Sequence, residues 1–289
     1  MFFLDSTWNE TQEGKHKYYR IIDDFFNPNT LHLVRDYYKN DTLQMKGFST
    51  SANSIIKEGT FFYYYQNGKR KTMVNYHENK KVGKEYRWYE NGNKQSEGEY
   101  IINKDRLEPS IFILNKFWDI NGQQKVIDGN GDYEEYEEDS NASGKVINGR
   151  KNGEWKGEDK KIKISFIENY KDGNLISGIS IDSLNNQHRY EKISVQPKPK
   201  KGMSHFYEFV GKKFKFTKNA EGIGGKIFIN FYIDKKGKAT EFKIVRGLGF
   251  GLDEEAIRII SNYPEWECGY YRGIGTKFLF ALPITIKPL

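Results

Sequence analysis

The sequence predicts a mainly β protein with a small α+β C-terminal domain. Among its 289 residues are 20 tyrosines and 20 phenylalanines, and aromatic side chains favour the pleated, half-buried surface of a sheet. Asparagine–glycine and aspartate–glycine pairs recur between short segments, which is typical of β-hairpins. Near the C-terminus, alternating apolar segments surround one amphipathic helix. We therefore expect an antiparallel sheet of repeated hairpins, followed by a compact β-β-α-β module.

A repeated hairpin unit covers residues 31–180. Its clearest copies read Tyr-Gln-Asn-Gly-Lys at 65–69 and Tyr-Glu-Asn-Gly-Asn at 89–93, with a degenerate copy at 38–42. Less regular copies follow at 118–122, 151–153 and 171–173. The Asn-Gly pairs predict type I′ turns, since both central residues of that turn need positive φ. One hairpin per period implies stacked hairpins whose core forms only between neighbours.

These units resemble the MORN-like repeats of the bacterial YwqK-type antitoxin family, in which an aromatic–x–Asn–Gly–Lys turn and a Gly–x–Tyr strand recur. The resemblance covers about half of the chain and departs from the family pattern after Asn121, where insertions such as an acidic run break the period. A repeat sheet is a scaffold rather than an activity, so the family label does not by itself predict what the protein does.

Residues 194–202 read Ser-Val-Gln-Pro-Lys-Pro-Lys-Lys-Gly and are interpreted as a linker. The two prolines favour extended polyproline geometry, and the lysines keep the segment solvated. The predicted organisation is therefore a hairpin-repeat platform at 1–193, the linker at 194–202 and a C-terminal domain at 203–289.

The elements of the C-terminal domain follow from apolar periodicity. A helix is expected over 204–213, and a strand over 227–233 leads through a hairpin loop at 234–237 into a second strand at 239–245. Residues 252–263 carry one apolar stripe with three carboxylates in the first turn, which indicates a helix. The apolar residues that alternate along the predicted last strand are Phe278, Phe280, Leu282, Ile284 and Ile286.

This part of the chain resembles the C-terminal domain of TonB-family energy transducers. The matching segments are Gly-Lys-Ile-Phe-Ile-Asn-Phe-Tyr-Ile-Asp-Lys-Lys-Gly at 225–237, Leu-Asp-Glu-Glu-Ala-Ile at 252–257 and Pro-Ile-Thr-Ile at 283–286. Trp266 stands where the family often has Trp-x-Pro, although Cys268 replaces that proline here. The resemblance implies a domain without chemistry that offers a strand edge to an extended partner segment, by β-augmentation.

We expect the partner to bind along the last strand, over 276–285, because its backbone is the predicted free edge. The residues assigned to this site are Thr276, Phe278, Phe280, Leu282, Ile284 and Thr285. The expected partner is a protein or peptide segment, and the resemblance implies the plug peptide of an outer-membrane receptor. No nucleic-acid partner is predicted, because the net charge of +7 is spread along strands that also carry many carboxylates.

The sequence predicts neither an enzyme nor a cofactor. Five histidines are scattered without helical spacing, and the single Cys268 rules out an intramolecular disulfide. The sharpest metal candidate is a calcium-like loop with Asp128, Asn130, Asp132 and Asp139 as oxygen ligands. Tyr133 stands where such loops need glycine, so a glycine hairpin with a solvated acidic strand is favoured over a metal site.

Two aromatic rows, at 61–65 and 86–89, are compatible with an inter-hairpin core or with a surface that binds sugar or peptide. Core packing is the favoured interpretation, because rings on a thin sheet usually pack against neighbouring strands.

No apolar segment approaches the roughly 18 residues that cross a bilayer. The opening Met1-Phe2-Phe3-Leu4-Asp5 resembles the start of a mature domain, and we expect a signal or anchor segment to precede it in the natural protein. The leading hypothesis is a non-enzymatic protein of the periplasm or cell envelope, linked to outer-membrane transport. The alternative is a cytosolic antitoxin or immunity protein that begins at Met1 and covers a toxin with its repeat sheet.

Overall fold

The computed structural model describes residues 1–27, 30–101, 110–137, 139–264 and 266–288. Strands account for 55% of the residues and helices for 9%, which confirms the predicted mainly β class. The chain divides into two compact units: residues 1–155 with 170–174 form the first unit, and residues 156–169 with 175–289 form the second.

Sixteen of the described strands form one antiparallel sheet in which each strand is hydrogen-bonded to its neighbours in sequence. In chain order they are β1 (Phe2–Leu4), β2 (Tyr18–Ile22), β3 (His32–Tyr38), β4 (Leu43–Ser49), β5 (Lys57–Tyr64), β6 (Arg70–His77), β7 (Lys80–Trp88), β8 (Lys94–Ile101), β9 (Ile111–Trp118), β10 (Gln124–Ile127), β11 (Asn130–Tyr136), β12 (Ser140–Ile147), β13 (Arg150–Asp159), β14 (Ile164–Lys171), β15 (Asn174–Ile181) and β16 (Gln187–Tyr190). This succession of hairpins is consistent with the repeat seen in the sequence, and we call the β1–β16 sheet the hairpin sheet.

The asparagine–glycine loops differ from the turns that the sequence predicts. In the loops at 65–69 and 89–93 only the glycine has positive φ, 81° at Gly68 and 96° at Gly92. The type I′ prediction is therefore wrong here, and these are longer loops closed by a left-handed glycine. The asparagine acts through its side chain, because Asn67 Oδ1 accepts the main-chain N–H of Lys69 at 3.0 Å.

Turns with positive φ at both central residues occur between other strands, at 78–79, 128–129, 148–149 and 172–173. The turn predicted at 151–153 is wrong, because Asn152 and Gly153 lie inside β13 and the chain turns at Asn148 and Gly149 instead. Gly153 has a φ of 69°. An Asn-Gly pair suits such a strand irregularity as well as a turn, and for this reason the sequence pattern predicted a turn here.

A tyrosine at or just after the end of β3, β5 and β7 ties one hairpin to the next. Its hydroxyl donates a hydrogen bond to the main-chain carbonyl that ends the strand two places further along the sheet. The pairs are Tyr38 with Tyr64 (2.9 Å), Tyr65 with Trp88 (2.8 Å) and Tyr89 with Trp118 (2.9 Å). We call this series the tyrosine tie. It explains in physical terms why an aromatic residue with a hydroxyl recurs with the hairpin.

Part of the aromatic row at 61–65 does lie in the core, as favoured from the sequence. Phe61 is fully buried in a cluster with Val34, Met45 and Val74. A glycine makes room for its ring, since a Cβ on Gly47 would lie 2.5 Å from the ring atoms. Tyr65 of the same row belongs to the tyrosine tie instead, so the row serves two purposes.

Two carboxylates in the first unit are buried beside basic side chains. Asp36 accepts two hydrogen bonds from Arg20, at 2.7 and 2.8 Å. Glu85 lies 2.9 Å from the Nζ atom of Lys81 and 2.7 Å from the Nε atom of Arg87. Basic partners at these distances offset part of the free-energy cost of burying a carboxylate.

The second unit contains the remaining elements. Its helices are α1 (Gly202–Lys213) and α2 (Leu252–Ser261), with one 3₁₀ turn at Lys218–Ala220. Its further strands are β17 (Ser194–Val195), β18 (Lys198–Pro199), β19 (Gly225–Ile233), β20 (Ala239–Arg246), β21 (Trp266–Glu267), β22 (Gly269–Tyr271), β23 (Ile274–Thr276) and β24 (Phe278–Ile286). They form sheets with the orders β17-β22-β23, β18-β21 and β20-β19-β24. The predicted β-β-α-β order of the C-terminal module is thus present.

The segment predicted as a solvated linker is partly paired. Ser194 and Val195 pair with β22, and Lys198 and Pro199 pair with β21. An extended backbone keeps its carbonyl and N–H groups available, so the same proline geometry that suits a spacer also suits an edge strand. The domain boundaries at 193 and 203 stay a prediction.

Candidate protein-binding edge

The last strand, β24, lies at one edge of its sheet. It pairs with β19 along its whole length, from Phe278 opposite Ile233 to Ile286 opposite Gly225. Among the described strands, none pairs with the other side of β24. A row of main-chain groups is therefore free to pair with an added strand.

The side chains of β24 alternate between the core and the solvent. Leu282 and Ile284 are 4% and 2% exposed and pack in the cluster that includes both helices, with Phe278 and Phe280 half-buried on the same side. The exposed positions are Leu279, Ala281, Pro283 and Thr285. Four of the six assigned site residues therefore hold the strand in place, and Thr285 is the assigned residue of β24 whose side chain faces solvent. Strand alternation alone would have found the other three exposed positions.

Thr276 lies outside the last strand. It ends β23, where it pairs with Gly269, and Lys277 separates it from β24. The sequence showed no break between 276 and 278, because a three-residue strand has too few positions for a period to be recognised.

Pro283 fixes which main-chain groups of β24 face the free edge. Proline has no N–H to donate, so it is tolerated where its nitrogen faces away from the neighbouring strand. Pro283 stands opposite Phe228 of β19. Since main-chain groups alternate in direction along a strand, those of Leu279, Ala281 and Thr285 also point to the free edge. The edge thus offers N–H groups at these three residues and only a carbonyl at Pro283.

The edge strand is anchored by aromatic packing. The ring of Phe280 lies 5.1 Å from that of Trp266 and 5.4 Å from that of Phe231. Trp266 in turn contacts Phe206 of α1 at 5.3 Å. The apolar stripe of α2 completes this core, as predicted from its spacing. These aromatic contacts pack β24 against the core formed with both helices.

Two exposed apolar side chains lie on the outer face of the sheet near the edge. Phe228 of β19 and Leu279 of β24 are 37% and 52% exposed. At one end of β24, the Nζ atom of Lys277 lies 4.0 Å from the ring centroid of Tyr232 and forms an ion pair with Glu241. A partner segment with apolar side chains on one face would cover this surface.

Two short loops fix the elements around the edge. In the β19–β20 hairpin, the main-chain N–H groups of Lys238 and Lys236 donate to Asp234 at 2.9 and 2.8 Å, which holds the pKa of that carboxyl below its ordinary value. At the start of α2, Asp253 accepts the main-chain N–H groups of Leu248 and Gly249 at 2.9 and 3.1 Å. Both carboxylates therefore have local structural tasks.

The calcium-like loop does not bring its candidate ligands together. Asp128 lies in the turn between β10 and β11, while Asp132 lies within β11 and Asp139 beyond the far end of that strand. The side chain of Asn130 serves the turns, donating to Asp128 O at 2.8 Å and accepting from the N–H of Asn148 at 3.2 Å. Over the part of the chain that the structure describes, no three His, Cys, Asp or Glu residues are grouped to hold a metal ion.

A second buried polar cluster lies in the second unit, and no sequence pattern predicted it. The guanidinium of Arg272 stacks 3.6 Å from the ring centroid of Phe166 and donates through Nε to Glu168 at 2.8 Å. Tyr190 donates its hydroxyl to the same carboxylate at 2.7 Å. Burial, followed by this hydrogen bond, raises the pKa of Tyr190. All these groups are held within the fold, so the cluster is structural.

Residues 218–287 match the family model of the Gram-negative bacterial TonB protein C-terminal. The match covers about a quarter of the chain and runs from the 3₁₀ turn to the end of β24, so it excludes α1 and the hairpin sheet. Domains of that family bind proteins such as outer-membrane receptors and carry out no catalysis. The match therefore indicates a protein-interaction module associated with the cell envelope.

No curated protein matches the chain. The hairpin architecture is consistent with repeats over residues 31–180, and their MORN-like resemblance stays a prediction. Among the described helices, none has the length and apolar character that a membrane crossing requires.

Proposed function

We propose that this protein captures an extended segment of a partner protein at the free edge of β24, by β-augmentation in the cell envelope. The observation that carries the proposal is the position of β24, which is paired along one side and free along the other in the described sheet. Main-chain hydrogen bonds would supply affinity, and the exposed side chains of Leu279 and Phe228 would contact the side chains of the partner.

The residues of the assigned site have different roles in this proposal. Phe278, Phe280, Leu282 and Ile284 position the strand through the core, while Thr285 lies on the binding edge itself. Leu279 and Ala281 join Thr285 as the residues that donate to the partner. Thr276 lies beside the strand and would contact only a partner that extends past Phe278.

The hairpin sheet is proposed to be a MORN-like platform that carries this module. The tyrosine tie supports that interpretation, because it makes the same link three times in succession between β3 and β9. The resemblance to energy transducers further suggests an outer-membrane receptor as the partner and a role in transport. If the protein is instead an antitoxin or immunity protein, its toxin would contact the hairpin sheet.

A photo-crosslinking experiment on the full chain tests the site. A photoreactive phenylalanine analogue at Leu279 would report on the free edge, and the same analogue at Val245 is the matched control on the opposite edge strand, with similar exposure. Incubated with envelope extract, the Leu279 derivative should give a crosslinked protein band that the Val245 derivative does not.

The band should also depend on the main chain of β24. Ala281→Pro removes one outward N–H group, whereas Ala281→Ser keeps it, so only the proline variant should lose the crosslink at Leu279. Thermal unfolding of both variants checks that the domain remains folded. Crosslinks that arise only from analogues placed in the hairpin sheet would contradict the proposal and favour the antitoxin alternative.

A further inference from the structure

A cleft of about 670 Å³ lies in the first unit, beside the tyrosine tie. This volume is within the range of clefts that bind small molecules. Tyr65 and Tyr89 line one part of it, and Tyr136 of β11 lines another. The aromatic rows of the sequence are therefore divided, with Phe61 in the core and Tyr65 and Tyr89 at a surface that a ligand can reach.

The two tie tyrosines are held at a fixed spacing. Their hydroxyls are engaged with the carbonyls of Trp88 and Trp118, so each ring is fixed in place. Tyr65 follows β5 and Tyr89 follows β7, with β6 between them. Strands in a sheet are about 4.8 Å apart, so equivalent points on the two rings are separated by about 9–10 Å.

The polar groups of the cleft include both donors and acceptors and nearly cancel in charge. Lys71 and Arg87 supply positive charge, Asp119 and Glu134 supply negative charge, and Gln95 contributes an amide that can donate and accept. The strands β6 and β7 are paired on both sides, so no peptide can add to them as a further strand. Recognition in this cleft must rely on side chains.

We propose that the cleft binds a neutral, linear oligosaccharide whose alternate sugar rings stack on Tyr65 and Tyr89. A pyranose ring has apolar faces that suit aromatic rings, and its hydroxyls both donate and accept hydrogen bonds. In an extended β-1,4-linked chain, the disaccharide repeat has about the length that separates the two tyrosines. This site is independent of the strand-capture edge, because it uses none of the same residues.

A proline-rich peptide is the competing ligand. Three residues of polyproline helix also advance by about 9 Å, and such peptides dock on aromatic grooves. A proline-rich chain offers carbonyl acceptors but few N–H donors. Asp119 already accepts hydrogen bonds from the N–H groups of Asn121 and Gln123, and Glu134 accepts one from the hydroxyl of Tyr136. A proline-rich chain has no donor for the acceptor positions that Glu134 has left, and desolvating them is unfavourable. Sugar hydroxyls can donate further hydrogen bonds to Glu134, and that difference favours the oligosaccharide.

Titration calorimetry on the full chain tests the proposal with cellobiose, cellotetraose and chitotetraose as probes. A tetrasaccharide should bind more tightly than the disaccharide, because only the longer chain reaches both rings. Tyr136→Ala and Gln95→Ala should each weaken tetrasaccharide binding by about tenfold. Tyr136 is 57% exposed, so its removal leaves the sheet intact. Tyr207→Ala, at a 43% exposed tyrosine of α1, is the matched control and should leave binding unchanged.

Three results would overturn the proposal. The first is the absence of saturable binding by either tetrasaccharide at millimolar concentration. The second is tetrasaccharide binding that Tyr136→Ala and Gln95→Ala leave unchanged. The third is tight binding of a decaproline peptide that both variants abolish, which would assign the cleft to proline-rich segments.

Discussion

The hydroxyl of Tyr65 lies 2.8 Å from the main-chain carbonyl oxygen of Trp88, to which it donates a hydrogen bond across the intervening strand β6. Trp88 directly precedes Tyr89, whose own hydroxyl repeats the arrangement with Trp118 at 2.9 Å. Each bond thus ends beside the residue that makes the next one. A thin sheet has few buried apolar contacts per hairpin, so lateral bonds of this kind add to the coupling between repeats.

Tyr65→Phe should lower the free energy of unfolding by about 0.5–1.5 kcal/mol, because the carbonyl of Trp88 loses its donor while the ring remains. Denaturant unfolding of the full chain, followed by circular dichroism, measures the change. Tyr207→Phe removes a hydroxyl from an exposed tyrosine of α1 and should be neutral. Equal stability of Tyr65→Phe and the unaltered chain would show that the tie contributes nothing.

The repeat and the C-terminal elements could be predicted because their signals are local. The stripe of α2 and the alternation of β19 follow directly from apolar spacing, and both are confirmed. Turn geometry was harder to predict from the sequence. The side-chain oxygen of Asn67 accepts a hydrogen bond from the main chain of Lys69, and an Asn-Gly pair by itself does not show whether the asparagine has this role or a positive φ. The last strand was predicted correctly from the sequence, but the main-chain groups that face its free edge were not. The register, with Pro283 opposite Phe228, identifies these groups.

Contacts between distant residues could not be predicted at all. Glu168 and Arg272 are separated by 104 positions, and each looks like an ordinary surface residue in its own segment. Their pairing depends on how strands far apart in sequence are brought together, which no local pattern encodes. The same holds for the pairing of residues 194–195 with β22, which places strands where a solvated spacer is expected.

Gly47→Ala and Gly211→Ala should change stability in opposite directions. A methyl group at Gly47 would lie 2.5 Å from the fully buried ring of Phe61, so the strand or the ring must shift. Overpacking of this kind costs about 1–3 kcal/mol. Gly211 lies in α1 with no atom within 4 Å of an added Cβ, so alanine should stabilise by about 0.5–1 kcal/mol.

Thermal unfolding of these two alanine variants provides the measurement, with the melting temperature falling for Gly47→Ala and rising for Gly211→Ala. A neutral Gly47→Ala would mean that the ring of Phe61 has free space to move, contrary to the packing described above.

Arg272→Ala should be among the more destabilising single substitutions in the second unit. It leaves the carboxylate of Glu168, which is fully buried, without its guanidinium partner. Removing one member of a buried pair typically costs about 3–5 kcal/mol. The double variant Arg272→Ala with Glu168→Ala should lose less than the sum of the two single variants, since the uncompensated charge is then gone. Strict additivity in denaturant unfolding would contradict a direct coupling.

Alkaline conditions should weaken the tyrosine tie at Tyr89 in a defined pH range. Burial, as the largest cause, raises the pKa of Tyr89 from 10.0 to about 12. Between these values the unfolded chain has lost the phenolic proton while the folded chain retains it, so the unfolded state binds fewer protons and stability falls as the pH rises. Below pH 10 the contribution is fully present, and above about 12 it is lost.

Tyr89→Phe has no such proton, and it keeps the ring. The free energy of unfolding of this variant should therefore fall less steeply between about pH 10 and 12. The slope against pH measures the number of protons released on unfolding, and this number should be lower than in the unaltered chain by up to about one. Denaturant unfolding at a series of pH values gives both slopes, and other buried tyrosines contribute equally to each. If the free energy of unfolding falls with the same slope for both chains over this range, the hydroxyl of Tyr89 titrates as an exposed phenol. It then does not keep its hydrogen bond to the carbonyl of Trp118 in the folded state.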